Sequence, residues 1–276
     1  MQQFQKIAGA NQVFTPGAPV QTKDLFSGRS EQLDRTLEAL TAPGRHPVIF
    51  GQRGVGKTSL ANVLKDAFQS LLSVKISCDG GDTFATIWNR VFQTASVSFK
   101  KQAFGFSSKE ATKTISVGEF LGHDTSNSKP AEIGNLLAKI NGYCVFIMDE
   151  FDKVSDQATK AAFADLIKIL SDNAPKVTLI IVGVSRNIHE LIGEHPSINR
   201  NLVQIDMPTM TDEEIITIIE SGFSKLSIQP KNDVVGQVPS LAGGYPHYAH
   251  LLGLCAAKAC AQNDTAQLTH DLHNSM

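Results

Sequence analysis

The chain has 276 residues, of which 42% are hydrophobic and 19% are charged. This composition is ordinary for a folded globular protein and excludes wholesale disorder, and the length predicts one large core with a smaller attachment. The formal net charge of −2 excludes a strongly cationic protein that coats nucleic acid, although it permits a local basic patch.

The sequence predicts neither a disulfide framework nor a membrane helix. The cysteines form no CxxC pair and have no histidines at zinc-site spacing, so we expect reduced, buried thiols at Cys78, Cys144, Cys255 and Cys260. The first fourteen residues contain no apolar run of signal-peptide length. The longest apolar stretch covers only residues 177–184, whereas a membrane helix needs about 20 residues. We therefore expect a cytoplasmic protein with no membrane partner.

Strand and helix signals alternate from residue 30 to residue 207, which predicts an α/β fold with a parallel central sheet covered by helices. The predicted strands cover residues 47–50, 74–77, 143–148, 177–182 and 202–207. The predicted helices cover residues 30–40, 57–70, 83–94, 130–140, 157–170 and 188–192.

A polar insertion at about 95–129 interrupts this alternation and is too long for an ordinary connection. Apolar residues alternate with polar ones at Val97, Phe99, Phe104 and Phe106, so a hairpin and a partly mobile insertion are both open interpretations. Beyond Pro208 the strand signal disappears, and a capping box at Thr211 opens a helix that two further helices follow, the last over 246–262.

These signals predict three parts. The first is an N-terminal segment, the second an α/β domain that contains the polar insertion, and the third a small all-helical C-terminal domain that forms a lid. Their predicted ranges are 1–23, 24–207 and 208–276.

Residues 51–58 match the pattern GxxxxGK[ST] between a predicted strand and a predicted helix. The glycines let successive amides turn toward one anion, and the positive end of the following helix adds to the attraction. In such a loop Lys57 would bridge the β- and γ-phosphates of ATP, and the Thr58 hydroxyl would ligate Mg²⁺. The residues predicted to bind the nucleotide here are Gln52, Arg53, Gly54, Val55, Gly56, Lys57, Thr58 and Ser59.

An acidic pair follows the apolar strand 145–148, as expected at the end of a strand that is buried on both faces. Asp149 can hold the water shell of the magnesium ion, and Glu150 can polarise the water that attacks the γ-phosphate. An acidic pair that merely caps the next helix is the alternative. We expect Asp152 and Asp156 to be helix-start charges rather than metal ligands.

Hydrolysis also needs a polar group that senses the γ-phosphate and a cation that neutralises developing charge. Ser185 or Asn187, after the strand at 177–182, could be that polar group, although Ser185 could equally cap the helix 188–192. Arg186 and Arg200 are the candidate cations, and a solvated arginine is the alternative for each.

Together these motifs resemble the AAA+ and STAND groups of P-loop ATPases, especially the initiator branch related to origin-recognition proteins, over about residues 24–262. Phe26, Gly28 and Arg29, followed by Glu31, resemble the F-x-G-R-x-x-E segment, which in these families lies against the adenine. Gly243, Gly244, Pro246 and His247 resemble the GxP element of STAND lids, in which the proline packs on the adenine. The resemblance implies a P-loop three-layer sandwich with a helical lid.

Two departures from the family pattern bear on the function. Residues 246–257 lack the arginine that an AAA+ lid points at the γ-phosphate, which favours a nucleotide-gated switch over a processive motor. STAND proteins continue past the lid into effector modules, whereas this sequence stops at Met276, so we expect a separately encoded partner.

The leading hypothesis is a slow, Mg²⁺-dependent ATPase that works as a switch and self-associates with bound nucleotide. An alternative is a nucleic-acid-dependent ATPase of the initiator or loader kind, suggested by Phe99, Phe104 and Phe106 interleaved with Lys100, Lys101, Lys109 and Lys113. A less favoured alternative is a scaffold that holds nucleotide without hydrolysing it.

Overall fold

The computed structural model describes residues 1–68, 71–101, 111–116, 128–140, 142–193 and 196–268. Contacts divide the chain into two compact units. The sheet unit comprises Arg35–Phe50 and the described residues of 67–205. The loop–helix unit comprises Met1–Asp34, Gly51–Asp66 and the described residues from Asp206 onward. This division groups the GxxxxGK[ST] loop with the C-terminal helices, whereas the predicted domain boundary at 208 places the loop with the sheet. The predicted domain boundary stays a prediction.

A five-stranded parallel sheet forms the centre of the sheet unit, with the strand order β2-β5-β6-β1-β7. β2 and β5 pair from Leu72 opposite Cys144, and β5 and β6 pair from Cys144 opposite Val177. All six residues of β1 and of β5 are buried, which explains why both strands are continuous apolar runs. The strands of the chain up to this point are β1 His46–Gly51, β2 Leu72–Ser77, β3 Ser96–Lys101, β4 Ala111–Ser116, β5 Cys144–Asp149, β6 Val177–Val184 and β7 Leu202–Asp206.

Helices flank this sheet, and their apolar faces form one core with it. Trp88 lies inside that core, with its ring centroid 5.6 Å from Phe92 and 5.4 Å from Phe146. The parallel sheet and the predicted strands and helices are therefore confirmed, with element ends shifted by a few residues. In chain order the helices up to β7 are α1 Gln2–Val13, α2 Ser30–Thr41, α3 Lys57–Ala67, α4 Phe84–Thr94, α5 Pro130–Ala138, α6 Gln157–Asn173 and α7 Ile188–Ile192.

The polar insertion contains an antiparallel hairpin of β3 and β4, in which Ser96 lies opposite Ser116. The hairpin interpretation therefore holds for these two strands. Phe104, Phe106 and Lys109, which the sequence analysis also named, lie outside the described residues.

The C-terminal part of the loop–helix unit is built from α8 Asp212–Lys225, α9 Asn232–Val235, α10 Val238–Ala242 and α11 Pro246–Gln262. The predicted capping box is confirmed: Thr211 Oγ1 accepts from Glu214 N at 3.3 Å, and Glu214 Oε2 accepts from Thr211 N at 2.9 Å. Three helices follow α8 among the described residues, rather than the predicted two.

The prediction that no strand follows Pro208 was wrong. β8 Gln229–Pro230 pairs in parallel with β9 Gln267–Leu268. Two-residue strands are too short to show the alternation of apolar and polar residues that marks a strand in the sequence, so neither strand could be predicted. Among the described residues, no helix is both long and apolar enough to cross a bilayer.

The N-terminal helix α1 packs against α11, so the first residues belong to the core of the loop–helix unit. Phe14, which follows α1, is 1% exposed and lies edge-on to Phe223 at 5.5 Å between ring centroids. Its ring occupies the space that side chains at Gly222 and Gly253 would need, because a Cβ there would lie 2.3 and 2.4 Å from it. No signal in the sequence predicted this packing.

Candidate functional site

The phosphate-loop sequence forms a turn between the end of β1 and the start of α3 in the loop–helix unit. Gly54 and Gly56 have φ angles of +87° and +99°, a region that residues with a side chain rarely adopt. At Gly51 a Cβ would lie 2.3 Å from the Met207 carbonyl oxygen. The three glycines of the motif are thus required by the backbone, and α3 presents its N-terminal amides directly after the loop.

Lys57, the first residue of α3, is folded back onto this loop. Its side chain is buried, and its Nζ donates to the carbonyl oxygens of Gly51 at 3.0 Å and Gln52 at 2.6 Å. The ammonium group is therefore held where an anion in the loop would meet it. Thr58 and Ser59 are partly exposed in the first turn of α3, and Ser59 Oγ accepts from Val20 N at 3.1 Å.

Arg29 supports the loop from inside the protein. Its guanidinium donates to Val55 O at 3.3 Å and to Pro208 O, and it lies 3.6 Å from the Glu214 carboxylate. Burial lowers the pKa of Arg29 from its ordinary value, while the charges of Glu214 and Asp206 act in the opposite direction. The Arg29 side chain thus makes these contacts with other parts of the protein. It connects segments that are distant in the sequence, and sequence reasoning missed this role.

The other residues of the F-x-G-R segment lie beside the start of α8. Gly28 has a φ of +80°, and a Cβ on it would lie 2.7 Å from Glu214 O. Phe26, Gly28 and Arg29 line an open groove of about 760 Å³ whose other walls come from residues 23–34 and 208–221. Ligand pockets commonly measure about 300–1,000 Å³, so this groove is of sufficient size for a small molecule.

The segment that precedes α11 lies against the phosphate loop. Tyr245 Oη donates to Gln52 Oε1 at 3.3 Å, and a Cβ on Gly54 would lie 3.4 Å from the Tyr245 ring. Pro246 Cγ is 3.8 Å from the position of a Cβ on Gly56. Sequence reasoning predicted Pro246 but missed Tyr245, for which the only available signal is an aromatic residue directly before the proline.

His247 and His250 hold the N-terminal segment onto α11. His247 Nδ1 donates to Pro16 O at 2.7 Å, and His250 Nδ1 accepts from Thr15 N at 3.3 Å. Burial lowers the pKa of His250 to about 4. Both imidazoles therefore contact the chain just after Phe14.

In the sheet unit, β5 ends in the acidic pair. Asp149 has a side chain that is 3% exposed; its Oδ1 accepts from Glu150 N at 2.9 Å and its Oδ2 lies 2.9 Å from Lys75 Nζ. Glu150 is partly exposed with φ +57°, and its carboxylate lies 2.9 Å from Lys153 Nζ. A left-handed backbone at a non-glycine residue carries strain, which is commonly retained at functional sites.

Two further acidic residues behave differently from each other. Asp156 is the N-cap of α6 and accepts from Ala158 N and Thr159 N, which agrees with its predicted position at the start of a helix. Asp152 accepts from Val184 N at 2.7 Å, so it ties the turn after β5 to the end of β6.

The residues after β6 form a local capping network. Asn187, not Ser185, is the N-cap of α7, because its Oδ1 accepts from Glu190 N at 3.1 Å. Ser185 Oγ instead donates to Glu190 Oε2 at 2.6 Å, which lowers the pKa of Glu190. The alternative that Ser185 caps this helix was therefore wrong. Arg186 and Arg200 both have exposed side chains.

A family model described as Novel STAND NTPase 1 matches residues 19–275. The chain belongs to this family. The resemblance to P-loop ATPases of the AAA+ and STAND groups is thereby confirmed, and this STAND protein is an NTPase-type P-loop protein. No protein of curated function matches it in sequence.

Solved structures share its fold at low identity. The Walker-type ATPase PABY2304 of Pyrococcus abyssi matches with a TM-score of 0.60 and 15% identity, covering 91% of this chain and 72% of that one. The Orc1 protein of Aeropyrum pernix in complex with DNA matches with a TM-score of 0.56 and 18% identity, covering 91% of this chain and 65% of that one. The RuvB Holliday junction branch migration motor of Thermotoga maritima matches with a TM-score of 0.53 and 14% identity, covering 92% of this chain and 70% of that one.

P-loop NTPases bind nucleotide, usually with Mg²⁺. Among the described residues, no group of three His, Cys, Asp or Glu side chains could hold a metal ion by itself. Mg²⁺ characteristically takes one or two protein oxygens and completes its shell with water and phosphate oxygens. The Thr58 hydroxyl in the loop–helix unit and the Asp149 carboxylate in the sheet unit are oxygen groups of this kind.

Proposed function

We propose that this STAND protein is an ATP-binding and ATP-hydrolysing switch in which nucleotide state controls the position of the C-terminal helices. The observation that carries this proposal is the hydrogen bond from Tyr245 to Gln52, which places Tyr245 and Pro246 beside Gly54 and Gly56 of the phosphate loop. A ligand bound in that loop has to meet the segment that opens α11.

In the proposed site, the loop amides and Lys57 bind the phosphates. Thr58 and Asp149 would be the donors to Mg²⁺, which would neutralise phosphate charge when bound. Glu150 orients and deprotonates the attacking water. The sheet order supports this grouping, because the carboxyl ends of parallel β1 and β5 share one edge with only β6 between them. Ser185 or Asn187 would sense the γ-phosphate.

A physical route for the switch is available in the loop. Lys57 Nζ donates to the Gln52 carbonyl, and the Gln52 side chain accepts from Tyr245. A phosphate that attracts the lysine weakens its bond to Gln52, and the change reaches Tyr245 through a single residue. The size of the effect is bounded by the difference in affinity of ATP and ADP for the two positions.

We also propose that the protein self-associates when nucleotide is bound, and that it acts on a partner protein. The exposed Arg186 and Arg200 are the candidate cations for a neighbouring subunit's nucleotide. Arg200→Ala should abolish any ATP-dependent rise in light scattering that the parent shows relative to ADP.

The central experiment compares two variants for ATP binding by calorimetry and for phosphate release. Lys57→Ala should weaken binding at least about tenfold, because a charge-assisted contact with phosphate is lost. Glu150→Gln should bind ATP like the parent but turn over about 10²- to 10⁴-fold more slowly. Lys65→Ala, on the exposed side of α3, and Glu38→Gln, exposed on α2, are the matched controls. If the parent binds ATP without releasing phosphate, the non-hydrolysing scaffold replaces the switch, and normal hydrolysis by both variants contradicts the assigned roles.

A nucleic-acid-dependent ATPase is the second candidate, and the β3–β4 hairpin favours it. Lys100 and Lys101 lie on β3 and Lys113 on β4, so three basic residues share one two-stranded element. The structurally similar Orc1 protein was solved in complex with DNA. ATP hydrolysis measured with and without DNA over a salt series separates the candidates, because backbone contacts weaken steeply with salt. A rate that does not respond to DNA excludes this candidate.

A further inference from the structure

Lys75 and Asp149 form a buried ion pair across neighbouring strands of the sheet unit. Lys75 lies opposite Ile147 in the β2–β5 register, and Asp149 is two residues further along β5. Since side chains two residues apart share a face, the lysine and the carboxylate meet diagonally on one side of the sheet. Their Nζ–Oδ2 distance is 2.9 Å, and their side chains are 13% and 3% exposed.

The position of this pair is unusual for a structural ion pair. It engages the carboxylate to which the proposed function assigns Mg²⁺: Oδ1 accepts a hydrogen bond from Glu150 N, and Oδ2 is ion-paired with Lys75 without the alignment of a hydrogen bond. A carboxylate this buried is costly without a neutralising partner. An arriving metal ion would therefore compete with the ammonium group for the charge of this carboxylate.

The neighbouring pair of Glu150 and Lys153 offers a contrast. Its Nζ–Oε2 distance is also 2.9 Å, but its side chains are 43% and 50% exposed. Exposed pairs contribute little because water and salt screen them. The two pairs thus have the same N–O distance and differ in burial.

We propose that Lys75 is the resident counter-ion of Asp149: a positioning residue that stabilises the site without metal and sets the Mg²⁺ concentration needed to fill it. The metal half of this inference rests on the proposed function. The stability half does not, because it concerns the protein without nucleotide. Lys75 thereby acts as a competitor of the metal, so its removal has opposite effects on the two measurements.

The stability test uses Lys75→Met, Lys75→Arg, Asp149→Asn and the double variant Lys75→Met/Asp149→Asn without nucleotide. Lys75→Met should lower Tm by roughly 5 to 15 °C, because it removes the ammonium group that lies 2.9 Å from a buried carboxylate. Lys75→Arg, which keeps the charge, should stay close to the parent. The double variant should regain most of the loss, because both charges are gone. A double variant no more stable than Lys75→Met would mean that the lysine only packs, and would overturn the proposal.

The metal test titrates Mg²⁺ against binding of a fluorescent, non-hydrolysable ATP analogue. Lys75→Met should reach half-saturation at roughly tenfold lower Mg²⁺ than the parent, because a competing cation is absent. Lys153→Met, the exposed control, should match the parent. An unchanged Mg²⁺ requirement in Lys75→Met overturns the competition. If the parent binds no nucleotide at any Mg²⁺ concentration, the proposed function fails, and the stability test alone then decides whether Lys75 is the counter-ion.

Discussion

The phenol of Tyr245 donates a hydrogen bond to the side-chain oxygen of Gln52, across a distance of 3.3 Å. The two residues are separated by 193 positions in the sequence, yet one belongs to the phosphate loop and the other directly precedes α11. This bond joins the segment that would respond to a phosphate with the helix that would move.

We expect Tyr245→Phe to reduce the ability of the protein to distinguish ATP from ADP. The substitution removes one partly exposed hydrogen bond, worth about 0.5–1.5 kcal/mol, and keeps the ring that contacts Gly54. The ratio of the two dissociation constants should therefore change about two- to tenfold, as measured by calorimetry. Tyr248→Phe is the matched control, because Tyr248 is exposed on α11 and lies edge-on to Tyr245. An identical ratio in both variants would argue against a route through Gln52.

The packing of Phe14 against α11 predicts an unusual sign for a glycine substitution. Alanine in place of glycine inside a helix ordinarily stabilises it by about 1 kcal/mol. In Gly253→Ala, however, the new Cβ would lie 2.4 Å from the Phe14 ring, so we expect a loss of about 1–3 kcal/mol in the free energy of unfolding.

When Gly253→Ala is combined with Phe14→Leu, the losses in the free energy of unfolding should be less than additive, because the smaller leucine side chain leaves room for the new Cβ. Gly17→Ala serves as the control, since nothing lies within 4 Å of a Cβ at that position. Urea unfolding measures all four variants. A stabilised Gly253→Ala protein would show that Phe14 does not occupy this site in solution.

His46 should make the protein less stable in acid. Burial lowers the pKa of His46 to about 4, and its Nδ1 accepts from Leu179 N at 2.9 Å, so the folded protein holds this imidazole neutral. The unfolded chain protonates near pH 6.5. The contribution is thus complete above that pH and is lost as the pH falls toward 4, by on the order of 3 kcal/mol in total. His250, with a pKa of about 4, acts in the same direction.

Urea unfolding between pH 7 and pH 4.5 tests this expectation. His46→Asn cannot take up the proton and should show a shallower decline than the parent, whatever its stability at pH 7. His189→Asn, at an exposed position on α7, should decline like the parent. Parallel pH profiles for the parent and His46→Asn would contradict the assignment.

The strongest sequence signals were local ones, and they predicted the fold well. The apolar runs that end in Gly51 and Asp149 form the buried strands β1 and β5. A strand that is covered on both faces needs apolar residues at every position, so it is easily recognised in the sequence. The signals failed where elements were short or polar. α1 begins with Gln-Gln-Phe-Gln-Lys and has no strong apolar stripe, so only its packing on α11 reveals its place in the core.

The residues of the proposed site divide in the same way. Lys57, Thr58, Asp149 and Glu150 could be named from the sequence, because their motifs are short and their spacing is fixed by one strand and the turn after it. Asn187 was named as a γ-phosphate sensor, and the structure adds that it caps α7. The sequence offered Ser185 and Asn187 as alternative γ-phosphate sensors and only Ser185 as a cap, because hydrogen-bond geometry is needed to identify the capping residue.

The sequence by itself determined that this chain forms a parallel α/β sheet and carries a glycine loop with a lysine at a helix start, since both are encoded in neighbouring residues. Tertiary structure alone decided that Arg29 supports the loop at Val55, that Tyr245 reaches Gln52, and that Lys75 neutralises Asp149. These contacts join residues between 26 and 193 positions apart. Their partners are selected by how the chain packs, and packing leaves no periodic pattern in the sequence.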